Sequence, residues 1–211
     1  MNQDHYDADY YLNGVQSGKS NYVDYSWKPD LTLPMADWLK RTLHIKDSDT
    51  ILDFGCARGF LVKALRMRGM NSFGCDSSEW AIENCDEGVK GYVSNVMPCE
   101  RFDYIICKDV LEHVPLDELK PLIKRLIQST RKSLLAIVPL THVDGGPYLR
   151  DEDNADPSHC NAWPLETWME LFQTSVSPDE GYVTGSWHYP GLKPASSQVH
   201  KSCGFIQFNR V

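Results

Sequence analysis

Two hundred and eleven residues, 42% apolar and 24% charged, are enough for one domain that buries about 70–75% of its unfolded surface; disordered and fibrous chains are excluded. With 21 basic against 29 acidic side chains the net charge is −8, which disfavours long nucleic acid as a partner unless a basic patch is segregated. Seven cysteines, at 56, 75, 85, 99, 107, 160 and 203, form no Cys-x-x-Cys pair and fit a reduced, cytoplasmic chain. The first eleven residues carry neither a basic nor an apolar leader segment. The longest apolar run, 134–138, is far short of the roughly 18 residues that span a bilayer, so no membrane partner is expected.

Residues 1–30 are polar and rich in tyrosine (Tyr6, Tyr10, Tyr11, Tyr22, Tyr25) with Trp27 and no sustained period; they read as an arm or lid. Gly18-Lys19-Ser20 imitates the end of a phosphate-binding loop, but Asn13 stands where its first glycine belongs and no strand precedes it. From Leu33 the pattern turns regular. Leu33, Met35, Trp38, Leu39 and Leu43 suit one helical face, and 50–54 is a short apolar run closed by glycine, as a buried parallel strand should be. A helix follows over 60–68, stopped by Gly69, then a strand at 72–75 and a helix near 79–85 capped by Ser77 or Ser78. Further strands are expected at 91–94, 104–107 and 134–138. Between the last two, Leu119, Leu122, Ile123, Leu126 and Ile127 line one face of a helix in which Pro121 belongs to the first turn. Alternating strands and helices imply one doubly wound, mostly parallel α/β sheet with helices on both faces. After Pro139 the alternation stops: 141–164 is a long polar loop, 165–172 a helix, and 181–187 and 204–211 two strands of a C-terminal antiparallel hairpin, joined through the turn-rich 189–197. A loop of this length in a compact domain is usually functional.

The chemistry concentrates at the first strand-to-helix turn, Asp53-Phe54-Gly55-Cys56-Ala57-Arg58-Gly59. Gly55 allows a sharp turn and Gly59 a close helix approach, so the backbone N–H groups between them face whatever lies above the strand ends. Asp76 ends the second strand, where a carboxylate accepts from both hydroxyls of a ribose. Together they specify a nucleoside site. A dinucleotide wants Gly-x-Gly-x-x-Gly with its pyrophosphate on the helix N-terminus; the middle glycine is absent here and the last one comes early.

These residues resemble the class I S-adenosylmethionine-dependent methyltransferases, whose first motif is an acidic residue followed by Gly-x-Gly-x-Gly, here Asp53-x-Gly55-x-Ala57-x-Gly59. The resemblance continues through Asp76 and the run from Phe102 to Val114 (FDYIICKDVLEHV) and covers 48–140. It departs at a Pro-Gly-Gly turn before the fifth strand, replaced by Thr130-Arg131-Lys132-Ser133. It implies a single Rossmann-like domain with a seven-stranded sheet. S-adenosyl-L-methionine is then the cofactor and S-adenosyl-L-homocysteine the product. Asp53, Gly55, Cys56, Ala57 and Gly59 would meet its methionine part, Asp76 its ribose, Ser77, Asn95 and Val96 the adenine side, and Lys108 the methionine through its backbone.

A hydroxyl acceptor needs a base, and histidine suits neutral pH. His113, His142 and His159 could reach the ligand side; His159 is favoured, with His113 in a run that more often serves packing, and His142 on the substrate side with Tyr22 and Tyr25. The acidic 141–159 stretch could hold a divalent cation, but it lacks a calcium-loop order, and no metal is assigned. The expected activity is methyl transfer to an oxygen, or in second place a nitrogen, of a small acceptor. A regulatory module that only binds the cofactor, and a nucleic-acid methyltransferase, remain the alternatives; the latter lacks an (Asn/Asp)-Pro-Pro-(Tyr/Phe) run after the fourth strand. The oligomeric state is open.

Overall fold

The computed structural model describes residues 3–187 and 202–211. Its centre is a seven-stranded sheet in the order β3-β2-β1-β4-β5-β7-β6, built from β1 (Thr50–Phe54), β2 (Asn71–Cys75), β3 (Val93–Ser94), β4 (Phe102–Lys108), β5 (Thr130–Pro139), β6 (Gly181–Ser186) and β7 (Cys203–Arg210). The first five strands are parallel. β7 runs antiparallel to β5, with Leu134 opposite Phe208 and Ala136 opposite Ile206, and β6 pairs antiparallel to β7. The expected doubly wound sheet with a C-terminal hairpin is therefore present; its turn-rich link, 189–197, lies outside the described residues.

Chain order runs outward from β1 to β3, then returns to β4 on β1's other side. That reversal is the switch point, where two strand ends diverge and leave a crevice. Successive residues of the central strands serve opposite faces. Ile105, Leu134 and Ala136 join a core with Leu119, Ile123, Leu126, Trp168 and Phe172, from α6 (Leu116–Gln128) and α8 (Leu165–Gln173). Ile106, Leu135 and Ile137 join one with Trp38, Leu39 and Leu65, from α3 (Pro29–Thr42) and α4 (Phe60–Met67).

Two expectations shift. Pro121 is the sixth residue of α6 rather than in its first turn, so the Asp117 carbonyl forgoes an intrahelical N–H. A proline one turn in costs about 3 kcal/mol, which the burial of Leu119, Ile123, Leu126 and Ile127, at roughly 1.5–3 kcal/mol each, exceeds. The N-terminal arm, read as irregular, forms two short helices, α1 (Ala8–Leu12) and α2 (Gly14–Ser17). The Asp7 side chain accepts from the Tyr10 amide and caps α1, and Gly18, the glycine of the rejected phosphate loop, ends α2 in a left-handed conformation. In the 141–164 loop, Thr141 bridges to Tyr148 and Asp151–Asn154 forms one helical turn, α7.

Candidate active site

A cavity of about 330 Å³ opens over the carboxyl ends of β1, β2 and β4, at the switch point and in the size range of small-molecule sites. Its near wall is the turn after β1. Gly55 and Gly59 both lie in the left-handed region, at φ 80° and 77°. A Cβ on Gly55 would stand 2.2 Å from Val110 Cγ2, and one on Gly59 2.7 Å from Val89 Cγ2. Both positions therefore demand glycine twice over, by torsion and by contact. Gly55 is on the cavity wall, whereas Gly59 starts α4 behind it.

Asp76 closes this wall. Its Oδ2 accepts from the Ala57 amide at 2.7 Å and its Oδ1 from the Ser78 amide at 2.8 Å; each oxygen keeps a lone pair for a ligand. Burial pushes Asp76 above the usual carboxylate range even against those two bonds. Asp53, 4% exposed, is pushed up to about 7 by burial and by the neighbouring Asp76, with Lys108 opposing. Two desolvated carboxylates side by side form an electrostatic trap for a cationic or hydroxyl-donating ligand. Cys56, Ala57, Ser77, Asn95 and Lys108 also line the cavity; Val96 is 66% exposed and outside its walls.

The far wall is assembled from distant segments. Tyr6, Tyr10, Tyr11, Tyr22 and Tyr25 of the arm roof the cavity, with Tyr11 stacked on Trp80 at 5.4 Å and Tyr25 on Phe60 at 5.4 Å. The arm is tied down by Arg58, which donates to the Tyr25 carbonyl at 3.0 Å, and by Ser78, which donates to the Tyr6 carbonyl. A third tether is Tyr10 Oη, which donates to Asp156 Oδ2 at 3.1 Å. Asp156 in turn accepts from Ser158 Oγ at 2.5 Å, and Ser158 Oγ lies 2.8 Å from His113 Nδ1. Because the serine proton goes to the carboxylate, Nδ1 is the donor of that last bond and the lone pair of His113 sits on Nε2.

His113 is on the cavity wall. His159 packs behind it, ring centroids 4.6 Å apart, and against Tyr148. Burial, then the adjacent His159, pulls His113 down to about 4, and burial lowers His159; both are neutral imidazoles at pH 7. His142 is exposed and not part of the wall. The acidic stretch does not converge either: Asp144 accepts from Thr167 and Asp156 serves Tyr10 and Ser158.

Two residues were not singled out by the sequence. Asn161 is buried and donates from Nδ2 to the Leu111 carbonyl at 2.9 Å and the Val114 carbonyl at 2.7 Å. With the Cys160 and Asn161 amides on the Glu112 carbonyl, it fastens the 158–161 loop to the turn at 111–113. Glu112, 1% exposed, is pushed up to about 8 by burial. An Asn in a polar loop and a Glu beside a His carry no spacing signal.

A family model described as a methyltransferase domain matches residues 28–175, well over half of the chain, and the chain belongs to that family. It is an S-adenosylmethionine-dependent methyltransferase of class I, and S-adenosyl-L-methionine is its cofactor. The cavity fits that group: paired desolvated carboxylates for a sulfonium and a ribose, with backbone N–H groups between them. No curated protein sequence matches significantly. Among solved structures it is similar to an S-adenosylmethionine-dependent methyltransferase from Archaeoglobus fulgidus, at 19% identity and TM-score 0.61 over 83% of this chain and 93% of that one. It is also similar to the 1,6-didemethyltoxoflavin-N1-methyltransferase of Burkholderia thailandensis, with bound S-adenosylhomocysteine, at 15% identity and TM-score 0.59 over 86% and 80%. The small RNA methyltransferase HEN1 aligns at 14% identity and TM-score 0.64 over 88% of this chain and 26% of its own. These likenesses establish the fold. No helix among the described residues is long and apolar enough to cross a membrane.

Proposed function

We propose that this protein transfers a methyl group to an oxygen of a small-molecule acceptor. The observation that carries the reading is the roof: five tyrosines line a cavity of about 330 Å³, at the small-molecule end of the range of ligand sites. The net charge of −8 points the same way.

In this reading Asp76 holds the ribose hydroxyls with its remaining lone pairs, and Ser77 and Asn95 border the adenine. Asp53, the backbone from Gly55 to Ala57 and the Lys108 backbone hold the methionine end. Gly59 supports the turn by letting α4 approach Val89. When bound, S-adenosyl-L-methionine supplies a methyl on a sulfonium: the acceptor oxygen's pair forms the O–C bond, the C–S bond breaks with its pair to sulfur, and the hydroxyl proton leaves. Tyr22 and Tyr25 flank the acceptor and keep water out. His113 faces the acceptor as the catalytic residue, His159 positions it from behind, and the proton is drawn off at the His113 end of the cavity. Most of the rate comes from holding oxygen and methyl in line, worth about 7–11 kcal/mol in favourable cases.

Calorimetric titration tests the cofactor half. Wild type should bind S-adenosylhomocysteine saturably. Asp76→Ala should bind it on the order of 100-fold more weakly, since two hydrogen bonds to a charged group are lost at about 1.5–3 kcal/mol each. Undiminished binding in Asp76→Ala would remove that residue from the ribose.

A further inference from the structure

Glu112, His113 and His159 each bring one donor atom within 4.8 Å of those of the other two, at the end of the cavity whose wall is His113. Glu112 is 1% exposed, and its Oε2 is buried with no hydrogen-bond partner among the described residues. Leaving a buried carboxylate oxygen so is costly unless another group satisfies it. His159 Nδ1 is buried and equally unpartnered. The His113 ring is fixed with Nδ1–H engaged with Ser158 and the lone pair on Nε2. A buried carboxyl and two imidazoles thus gather, and His113 gives its other nitrogen to an outer partner, as metal-bound histidines do. The loop that carries His159 is pinned to the Glu112 turn by Asn161, so the set is held together without a ligand.

We propose that Glu112, His113 and His159 bind one divalent first-row transition-metal cation at the acceptor end of the cavity. Two imidazoles and a carboxylate suit manganese, iron, cobalt or zinc. Donor atoms on an ion with bonds near 2.1 Å stand roughly 3–3.5 Å apart, so side-chain rotations of about an ångström complete the site. Three protein ligands leave coordination positions free for other donors. A bound ion would lower the pKa of a hydroxyl taken up there, as zinc does for water. The ion's role rests on the reading of this cavity as an oxygen-methylating site; its binding does not.

The experiment uses the full chain after treatment with a chelator. Titration with Mn²⁺, followed by the electron paramagnetic resonance of the free ion, should show one ion bound per chain. Glu112→Gln, which keeps the side chain's shape, and His159→Gln should each bind Mn²⁺ at least tenfold more weakly while S-adenosylhomocysteine binding stays within about threefold of wild type. Absence of saturable binding of Mn²⁺, Co²⁺ and Zn²⁺, or undiminished Mn²⁺ binding in both variants, overturns the inference. Wild type that binds S-adenosylhomocysteine but no metal sinks the cation alone; Mn²⁺ bound without S-adenosylhomocysteine leaves the cation standing and sinks the cofactor reading of the cavity.

Discussion

The two walls of the cavity are built by opposite means. The near wall is backbone: one turn of seven residues, 53–59, closed by a single carboxylate that accepts from two amides. The far wall is side chain, drawn from the arm, the 111–113 turn and the 156–161 loop. Its tethers span long sequence separations, 146 positions between Tyr10 and Asp156 and 50 between Asn161 and Leu111. A wall of backbone and glycines recognises one fixed ligand and tolerates little change, whereas tethered loops can be rebuilt around different acceptors on the same frame. The near wall should therefore govern cofactor affinity and the far wall turnover, and each can be disturbed without the other.

The sharpest break between them is His113→Ala. A positioned group at the reacting oxygen contributes about 10²–10⁴ in rate, so turnover should fall by at least about 100-fold while the Kd for S-adenosylhomocysteine stays within a few-fold. If Kd collapses too, the walls are one unit and the comparison fails; steady-state assays beside calorimetry decide. Asp53 probes the near wall through pH. Its carboxyl titrates near 7 in the fold against about 3.9 in an unfolded chain, so between about pH 4 and 7 the folded state binds more protons. By linkage, stability is then lost as pH rises through that window, on the order of 2–4 kcal/mol at most. Asp53→Asn should reduce that slope, leaving the share of Glu112, whose carboxyl is likewise raised, in denaturant titrations at pH 5, 6, 7 and 8. Because the ionised form attracts a sulfonium, preference for S-adenosylmethionine over the neutral S-adenosylhomocysteine should also rise from pH 6 to 8 in wild type. An unchanged slope in the variant would mean that Asp53 does not titrate in the window.

This split explains what the sequence let one read. Strand β1, Gly55, Gly59 and Asp76 are legible because their cause is local: an apolar run, then positions where only glycine fits, then an acidic strand end. The parallel, doubly wound sheet follows from the same alternation, and the C-terminal hairpin from its breakdown after Pro139. The far wall leaves no such trace. His113 and His159 attract notice as residue types, yet which of them meets the cavity depends on Ser158 and Asp156 fixing one ring and Asn161 seating the other. His142, three residues beyond the end of β5, turns to solvent. The arm's tyrosines are visible as composition, while their enclosure of the cavity depends on the tethers from Arg58, Ser78 and Asp156.

Ala57 is where the two walls touch, and it offers the smallest and most discriminating effect. It occupies the middle position of the turn at φ 47°, where an L side chain is strained by about 1–2 kcal/mol relative to glycine. Its methyl is also buried in a cluster with Tyr10, Tyr11 and Ala81, where a methyl-sized group is worth about 0.8 kcal/mol. Ala57→Gly relieves the strain, loses the contact and adds unfolded-state freedom of about 0.4–1 kcal/mol; these nearly cancel. The variant should unfold within about 0.5 kcal/mol of wild type, whereas Ala64→Gly, fully buried inside α4, should lose about 1 kcal/mol or more from helix propensity alone. The arm, with one contact fewer, should become more sensitive to limited proteolysis while S-adenosylhomocysteine affinity holds, since the Ala57 amide still donates to Asp76. A loss of 1.5 kcal/mol or more in Ala57→Gly would show that the methyl under the tyrosines outweighs the torsion, and that the near wall depends on the arm resting on it.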